Sequence, residues 1–261
     1  MITGADVRCG TVAALLLCIG VLLLHARGTA ELRDGGIVRG STDAKRIALE
    51  FTGHEYAEGG AVILDELARH GARASFFLTG DFLRNRAFAP LVSRIVREGH
   101  YLGPHSDKHV LYCAWEAGKP TLVSREAFVR DLDDNLREIE KFGVRRADVR
   151  HWVPAYEWYN AEIAAWSAGA GLTLVNFTSG TRSNADYTGE ADRSFVSSQR
   201  ILDSILSREQ EDPRGLNGYL LLLHLGAGPG RADKMHRRLG ALLDELTRRH
   251  YQFVRVDELL K

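Results

Sequence analysis

The sequence predicts an α/β fold in which parallel strands form a barrel within a single domain. Short β-rich runs alternate with helical patterns beyond about residue 40, and polar clusters follow the strand candidates. Such alternation is typical of parallel strands joined by crossover helices. Seven or so strand–helix units fit a barrel better than an open sheet, which stays as the alternative.

The predicted elements alternate along the chain in a regular order. The strand candidates cover residues 46–52, 74–79, 101–103, 151–154, 172–177, 219–223 and 252–256. The helical patterns cover residues 61–70, 87–98, 124–142, 161–170, 197–211 and 234–249. In the segment 124–142 the apolar residues share one helical face, and Ser124 can cap its start. Residues 220–223 are all leucine, as expected for a strand buried on both faces.

The first thirty residues differ from the rest and predict a secretory signal or an N-terminal anchor. Arg8 precedes an apolar run over residues 11–24, and small residues follow at 26, 28 and 30. This run is shorter than the about 20 residues that a bilayer-spanning helix needs. We therefore expect an exported protein, periplasmic or extracellular, with one catalytic domain over residues 31–261; an uncleaved anchor is the alternative.

The charge balance excludes one broad class of partner. The chain has 34 basic and 34 acidic residues, whereas nucleic-acid binding normally shows as a basic excess. It also carries no polybasic membrane signal. Instead, polar, glycine-rich and aromatic loops follow six strand candidates, and in parallel barrels such loops share the face where active sites lie. The sequence therefore predicts an enzyme.

Three segments offer candidate catalytic or metal-binding side chains. His105 and His109 are four residues apart, a spacing that on a helical turn lets two imidazoles bind one cation; a surface or hydrogen-bonded pair is the alternative. His224 ends an apolar strand, where it can act as a general acid or be a core histidine. His54 and Glu55 follow the first strand and can bind metal or act as a base, unless their loop is simply exposed.

Two further loops suggest substrate contacts and support for catalysis. The loop at 154–160 offers aromatic faces for sugar rings and polar tips for hydroxyl groups, although it can also plug the barrel mouth. Its candidate substrate-binding residues are Tyr156, Glu157, Trp158, Tyr159 and Asn160. In the loop at 176–188, Asn184 or Asp186 can orient a catalytic histidine.

Together these segments resemble the polysaccharide deacetylase family, the NodB-homology fold of carbohydrate esterase family four, over roughly residues 44–260. The family order is Phe-Asp-Asp-Gly, Ser-Phe-Phe, Gly-x-His-Ser/Thr-x-x-x-His, Arg-x-Pro-Tyr and Leu-x-His. The corresponding segments here are Phe51-Thr52-Gly53-His54-Glu55, Ser75-Phe76-Phe77, Gly103-Pro104-His105-Ser106-Asp107-Lys108-His109, Val153-Pro154-Ala155-Tyr156 and Leu222-Leu223-His224.

The resemblance implies a distorted (β/α)7 barrel and a divalent metal, usually zinc. It makes His105 and His109 metal ligands and His224 the catalytic acid. It also places Thr52 and Gly53 where the family has paired aspartates, and Val153 where the family has an arginine. The sequence here resembles a divergent Phe-Thr-Gly-His-Glu branch of the family.

The two missing carboxylates need replacements. Gly53 tolerates backbone angles that other residues do not, so a loop that turns back there would carry the next side chains into the vacated space. We assign His54 to the metal and Glu55 to the base, with the reverse as the alternative.

The resulting hypothesis is metal-assisted hydrolysis that removes O- or N-linked acetyl groups from a polysaccharide or oligosaccharide. A catalytically inactive carbohydrate-binding protein with the same fold is the main alternative, and a metal hydrolase acting on another bond is a third.

Overall fold

A computed structural model of the protein describes Met1 and residues 29–261. The predicted signal or anchor, with Arg8 and the apolar run 11–24, lies outside the described residues. The strands are β1 Glu31–Arg33, β2 Gly36–Arg39, β3 Arg46–Gly53, β4 Ser75–Leu78, β5 Tyr101–Pro104, β6 His151–Trp152, β7 Thr173–Leu174, β8 Tyr219–His224 and β9 Gln252–Val254. The helices are α1 Gly60–Arg69, α2 Gly80–Arg84, α3 Ala89–Arg97, α4 Arg125–Glu140, α5 Ala161–Gly169, α6 Ser198–Glu211, α7 Leu239–Arg248 and α8 Val256–Leu259.

The strands of the main sheet are parallel and follow the order β5-β4-β3-β8, with β9 beside the first residues of β3. A second parallel pair joins β6 to β7. Backbone hydrogen bonds link the two groups: Val153 N–H donates to Pro104 O at 3.2 Å, and Thr178 N–H donates to Leu220 O at 2.9 Å. The strands therefore close into a ring, which confirms the predicted distorted barrel.

Strand β8 shows why the barrel has two apolar layers. Leu221 and Leu223 pack in the large core beneath the helices, whereas Leu220 and Leu222 pack with Phe77 in a second core. This alternation follows from the period of two in a strand. The strand is buried on both faces, as its uninterrupted apolar run predicts.

Most predicted elements are present, and their local signals are as expected. The Ser124 hydroxyl accepts a hydrogen bond from Ala127 N–H at 3.2 Å and caps α4. The hairpin of β1 and β2 and the helices α2 and α8 were not predicted, because segments of three to five residues are too short to show a period. Within residues 29–261, no helix has the length and apolar character needed to cross a membrane.

Candidate active site

A pocket of about 330 Å³ opens where the parallel strands end. Predicted site residues from four separate loops line it: His54, Glu55, His105, His109, Tyr156, Glu157 and His224. These loops follow β3, β5, β6 and β8, so the shared polarity of the strands brings together side chains far apart in sequence.

His224 is held in one orientation by Asp186. The His224 Nδ1 atom lies 2.6 Å from Asp186 Oδ1, and the His224 backbone N–H donates to Asp186 Oδ2 at 2.9 Å. Burial by itself lowers the pKa of His224, but the Asp186 carboxylate outweighs it and raises the pKa above its ordinary value. With Nδ1 occupied, Nε2 is the nitrogen available to the pocket. Of the two candidate orienting residues, Asp186 makes these contacts to His224, and Asn184 has no hydrogen bond to His224 in the described part of the chain.

His105 and His109 lie together, but not on a helical turn. Their loop follows β5 with a left-handed backbone at Ser106 (φ 70°) and at His109 (φ 55°), and the two ring centroids are 5.2 Å apart. The expected helical geometry is therefore wrong, although the side chains still meet. Asn135 anchors the loop, since its Oδ1 accepts from His105 N–H at 2.8 Å and its Nδ2 donates to Leu78 O at 3.1 Å.

The protonation states of His105 and His109 suit metal binding. The Nδ1 atom of His105 is 2.9 Å from Val153 O, so it carries the proton and leaves the Nε2 lone pair free. Burial, followed by nearby histidines, lowers the pKa of His105 well below its ordinary value and that of His109 to about 4. Both rings are therefore neutral near pH 7, which is the form that binds a cation.

The expected third ligand, His54, does not complete a metal site in this arrangement. Its ring is stacked on that of His109, with centroids 4.6 Å apart and planes 9° from parallel. Imidazole lone pairs lie in the ring plane, so two stacked parallel rings cannot both aim at one ion. Among residues 29–261, no three histidine, cysteine or carboxylate side chains are arranged to hold a metal. The stacking therefore argues against the set of three, but not against the pair His105 and His109.

Glu55 lies at the pocket rim with an exposed side chain. The proposed turn at Gly53 is absent, because Gly53 is the last residue of β3 and has no left-handed backbone. Packing explains the glycine instead, since an added Cβ would lie 2.9 Å from Leu78 Cδ2. Thr52 and Gly53 thus continue the strand, and nothing turns Glu55 inward.

The loop at 154–160 contributes some of its side chains to the pocket and packs the others elsewhere in the protein. Tyr156 and Glu157 line the pocket, whereas Trp158, Tyr159 and Asn160 do not. Trp158 Nε1 donates to Ala114 O at 2.9 Å, Tyr159 Oη donates to Arg33 O at 2.8 Å, and Asn160 caps α5. Hydrogen bonds within the protein therefore already use the polar ends of these three residues, and none of the three lines the pocket.

Two carboxyl groups in the barrel are removed from solvent, Glu50 completely and Glu157 largely. Burial raises the pKa of Glu157 to about 7, and burial together with the nearby Glu157 raises that of Glu50 to about 8. Both Glu50 carboxyl oxygens are buried without a hydrogen-bond partner. Sequence reasoning missed Glu50, although a lone acidic residue inside an apolar strand is a visible signal.

Other pocket residues also went unrecognised in the sequence. Tyr187 packs on His224 with ring centroids 4.9 Å apart, and the exposed Trp115 packs edge-on against Tyr156 at 5.8 Å. Tyr56 completes the aromatic lining. Trp115 lies between two predicted elements in a loop that shows no motif, so only the tertiary structure brings it to the pocket.

Comparisons with known proteins found similar sequences. The family model described as polysaccharide deacetylase matches residues 39–175, just over half of the chain. A chitooligosaccharide deacetylase of Bradyrhizobium sp. (strain ANU 289) is 27% identical over 200 residues, covering 73% of this chain and 79% of that protein. A match to an uncharacterized 30.6 kDa protein of Geobacillus stearothermophilus is 34% identical but covers only 40% of this chain and 37% of that protein.

Solved structures share the fold. A family 4 carbohydrate esterase of Bacillus subtilis superposes with a TM-score of 0.69 at 21% identity, covering 87% of this chain and 85% of that one. A family 4 pseudoenzyme from Bacillus anthracis superposes with a TM-score of 0.66 at 19% identity, covering 88% of this chain and 70% of that one.

Proposed function

This chain belongs to the polysaccharide deacetylase family of carbohydrate esterases, and we propose that it removes acetyl groups from the sugars of a polysaccharide or oligosaccharide by hydrolysis. The observation that carries the proposal is the oriented His224–Asp186 pair in the same pocket as His105 and His109. A histidine whose charged form is stabilised by a carboxylate is suited to protonate a departing sugar oxygen or nitrogen.

A divalent metal, zinc in our proposal, would be held by His105 and His109. When bound there, the cation supplies Lewis acidity at the acetyl carbonyl oxygen. The chain's own residues do the rest: the Val153 carbonyl keeps His105 in the required tautomer, and Asp186 stabilises the charged form of His224. His54 would join the metal only after its ring rotates away from His109.

The aromatic rim supports a sugar substrate. Tyr56, Trp115, Tyr156 and Tyr187 are exposed and line the pocket. Exposed aromatic faces beside polar groups are the surface on which sugar rings stack. We propose that sugars on either side of the acetylated residue pack on this rim.

Acetate release by the purified mature protein tests the proposal. Acetylated xylan, chitooligosaccharides and peptidoglycan glycan are incubated with the protein with and without added zinc, and acetate is measured over time. His224→Ala is the matched inactive variant, expected to lose on the order of 10²–10⁴ in rate. Binding of these glycans without any acetate release would contradict the proposal and favour a carbohydrate-binding protein.

A further inference from the structure

Thr52 and Gly53 stand where the family resemblance places two aspartates, so a carboxylate that activates water would come from elsewhere in this chain. Only two carboxylates line the pocket in the described part of the chain, those of Glu55 and Glu157. Glu55 is exposed at the rim, whereas the side chain of Glu157 is only 11% exposed. Both carboxyl oxygens of Glu50 are buried away from solvent, and both oxygens of Asp186 are already in hydrogen bonds with His224.

Glu157 combines an uncommon backbone conformation with a carboxylate that has no hydrogen-bond donor in the described part of the chain. Its backbone is left-handed (φ 52°), directly after Tyr156 at φ 61°, and non-glycine residues rarely adopt this conformation. Among residues 29–261, no donor lies within hydrogen-bonding distance of its carboxylate, although buried carboxylates are normally paired. Two unfavourable features at one residue, beside a pocket, indicate a functional constraint.

The position of Glu157 suits a water molecule. Its Oε1 atom lies 3.9 Å from Nε2 of His105, too far for a direct hydrogen bond. Because His105 donates from Nδ1, its Nε2 is the atom that would hold the metal, so the Glu157 carboxylate lies next to the metal position. From there it can accept a proton from a water molecule in the pocket.

We propose that Glu157 is the catalytic base of this enzyme and takes over the work of the absent aspartate. The inference rests on the proposed function. The Glu157 carboxylate accepts one proton from water, whose oxygen forms a bond to the acetyl carbonyl carbon. The bond from that carbon to the sugar oxygen or nitrogen then breaks, and protonated His224 donates a proton to the leaving atom. Acetic acid, which loses its proton to water and becomes acetate, departs with the deacetylated sugar; Glu157 then releases its proton to solvent, and His224 takes one up.

The direct test compares isosteric variants that remove one carboxylate each. Glu157→Gln is expected to lower kcat on the order of 10²–10⁴, with KM and bound metal unchanged. Glu55→Gln should cost much less, and Glu140→Gln, at the exposed end of α4, serves as the control. An equal or larger loss at Glu55 would overturn the assignment, as would an unchanged kcat with a raised KM at Glu157.

A second variant guards against a purely structural effect. Glu157→Gly removes the carboxylate and relieves the left-handed strain, since glycine adopts this conformation freely. It should fold at least as well as the wild type, lose activity, and regain part of it when formate is added as a replacement carboxylate. Formate should not rescue His224→Ala.

The remaining outcomes are also decisive. If Glu157→Gln loses bound metal along with activity, Glu157 is a metal ligand, and the assignment as base is overturned. If formate fails to rescue folded Glu157→Gly, the base assignment is likewise overturned. Failure of the proposed function is a separate result, because then the wild type itself releases no acetate from any acetylated glycan.

Discussion

The Nδ1 atom of His224 lies 2.6 Å from Oδ1 of Asp186, and the same carboxylate accepts the His224 backbone N–H through Oδ2. One carboxylate therefore fixes both the ring and the strand end that carries it. The burial that would otherwise lower the pKa of His224 is outweighed by Asp186, which raises it. The pair links a residue of β8 to one 38 positions earlier in the chain.

Asp186→Asn is expected to shift the pH dependence of acetate release. If His224 must be protonated to act as the acid, activity falls as pH rises through its pKa. Without the carboxylate, burial lowers that pKa, so the alkaline decline should move to lower pH. The profile of kcat/KM against pH measures this, with Asp203→Asn on the exposed face of α6 as the control. An unmoved profile would contradict the role of Asp186.

His105→Ala and His109→Ala are each expected to remove most of the bound metal. The reason is that each ring supplies one of about three protein ligands in a catalytic zinc site. Elemental analysis after dialysis against zinc measures the content, with the exposed His250→Asn as the control. His54→Ala should have a smaller effect, because its ring is stacked on His109. Full occupancy in both of the first two variants would refute the site.

Trp115→Ala is expected to raise KM for a polymer by roughly 2- to 12-fold, since an aromatic contact contributes about 0.5–1.5 kcal/mol. The value of kcat should stay the same, because the ring lies at the rim. Leu122→Ala removes an equally exposed apolar side chain outside the pocket and should leave KM unchanged. A matching rise in KM for Leu122→Ala would mean that the rim has no special role.

Glu50→Gln is expected to make the free energy of unfolding depend less on pH. The folded state raises the pKa of Glu50 from 4.5 to about 8, so it retains a proton that the unfolded chain releases. The free energy of unfolding therefore falls as pH rises from about 4.5 to about 8, by an amount on the order of a few kcal/mol. Urea titrations at pH 5 and pH 8 measure the difference. If the free energy of unfolding changes by the same amount between pH 5 and pH 8 in wild type and variant, Glu50 is not the cause of the pH dependence.

Export is expected to leave a mature N-terminus near residues 26–30. Small residues follow the apolar run 11–24 in this region, as signal cleavage requires. N-terminal sequencing of protein recovered from outside the cytoplasm measures the cleavage point. An intact Met1 on membrane-bound protein would favour an anchor, and an intact Met1 on cytoplasmic protein would exclude export.

The sequence by itself determined the order of the elements and the loops that meet. Alternating apolar runs and helical periods depend on neighbouring residues, so local patterns located β3 to β9, although β6 and β7 are shorter than predicted. Because parallel strands share one polarity, the loops carrying His54, His105 and His224 were bound to converge. Asp186 was also among the predicted orienting residues.

Only the tertiary structure decided which side chains in those loops face the pocket. Loop backbones are set by distant packing: Asn135 and Leu78 hold the His105 loop, and a left-handed turn aims Glu157 inward. Such contacts leave no period in the sequence. For the same reason Glu55 lies at the rim, while Trp158 and Tyr159 bond to backbone outside the pocket. Burial, which raises the pKa of Glu157 to about 7, exists only once the barrel has closed around it.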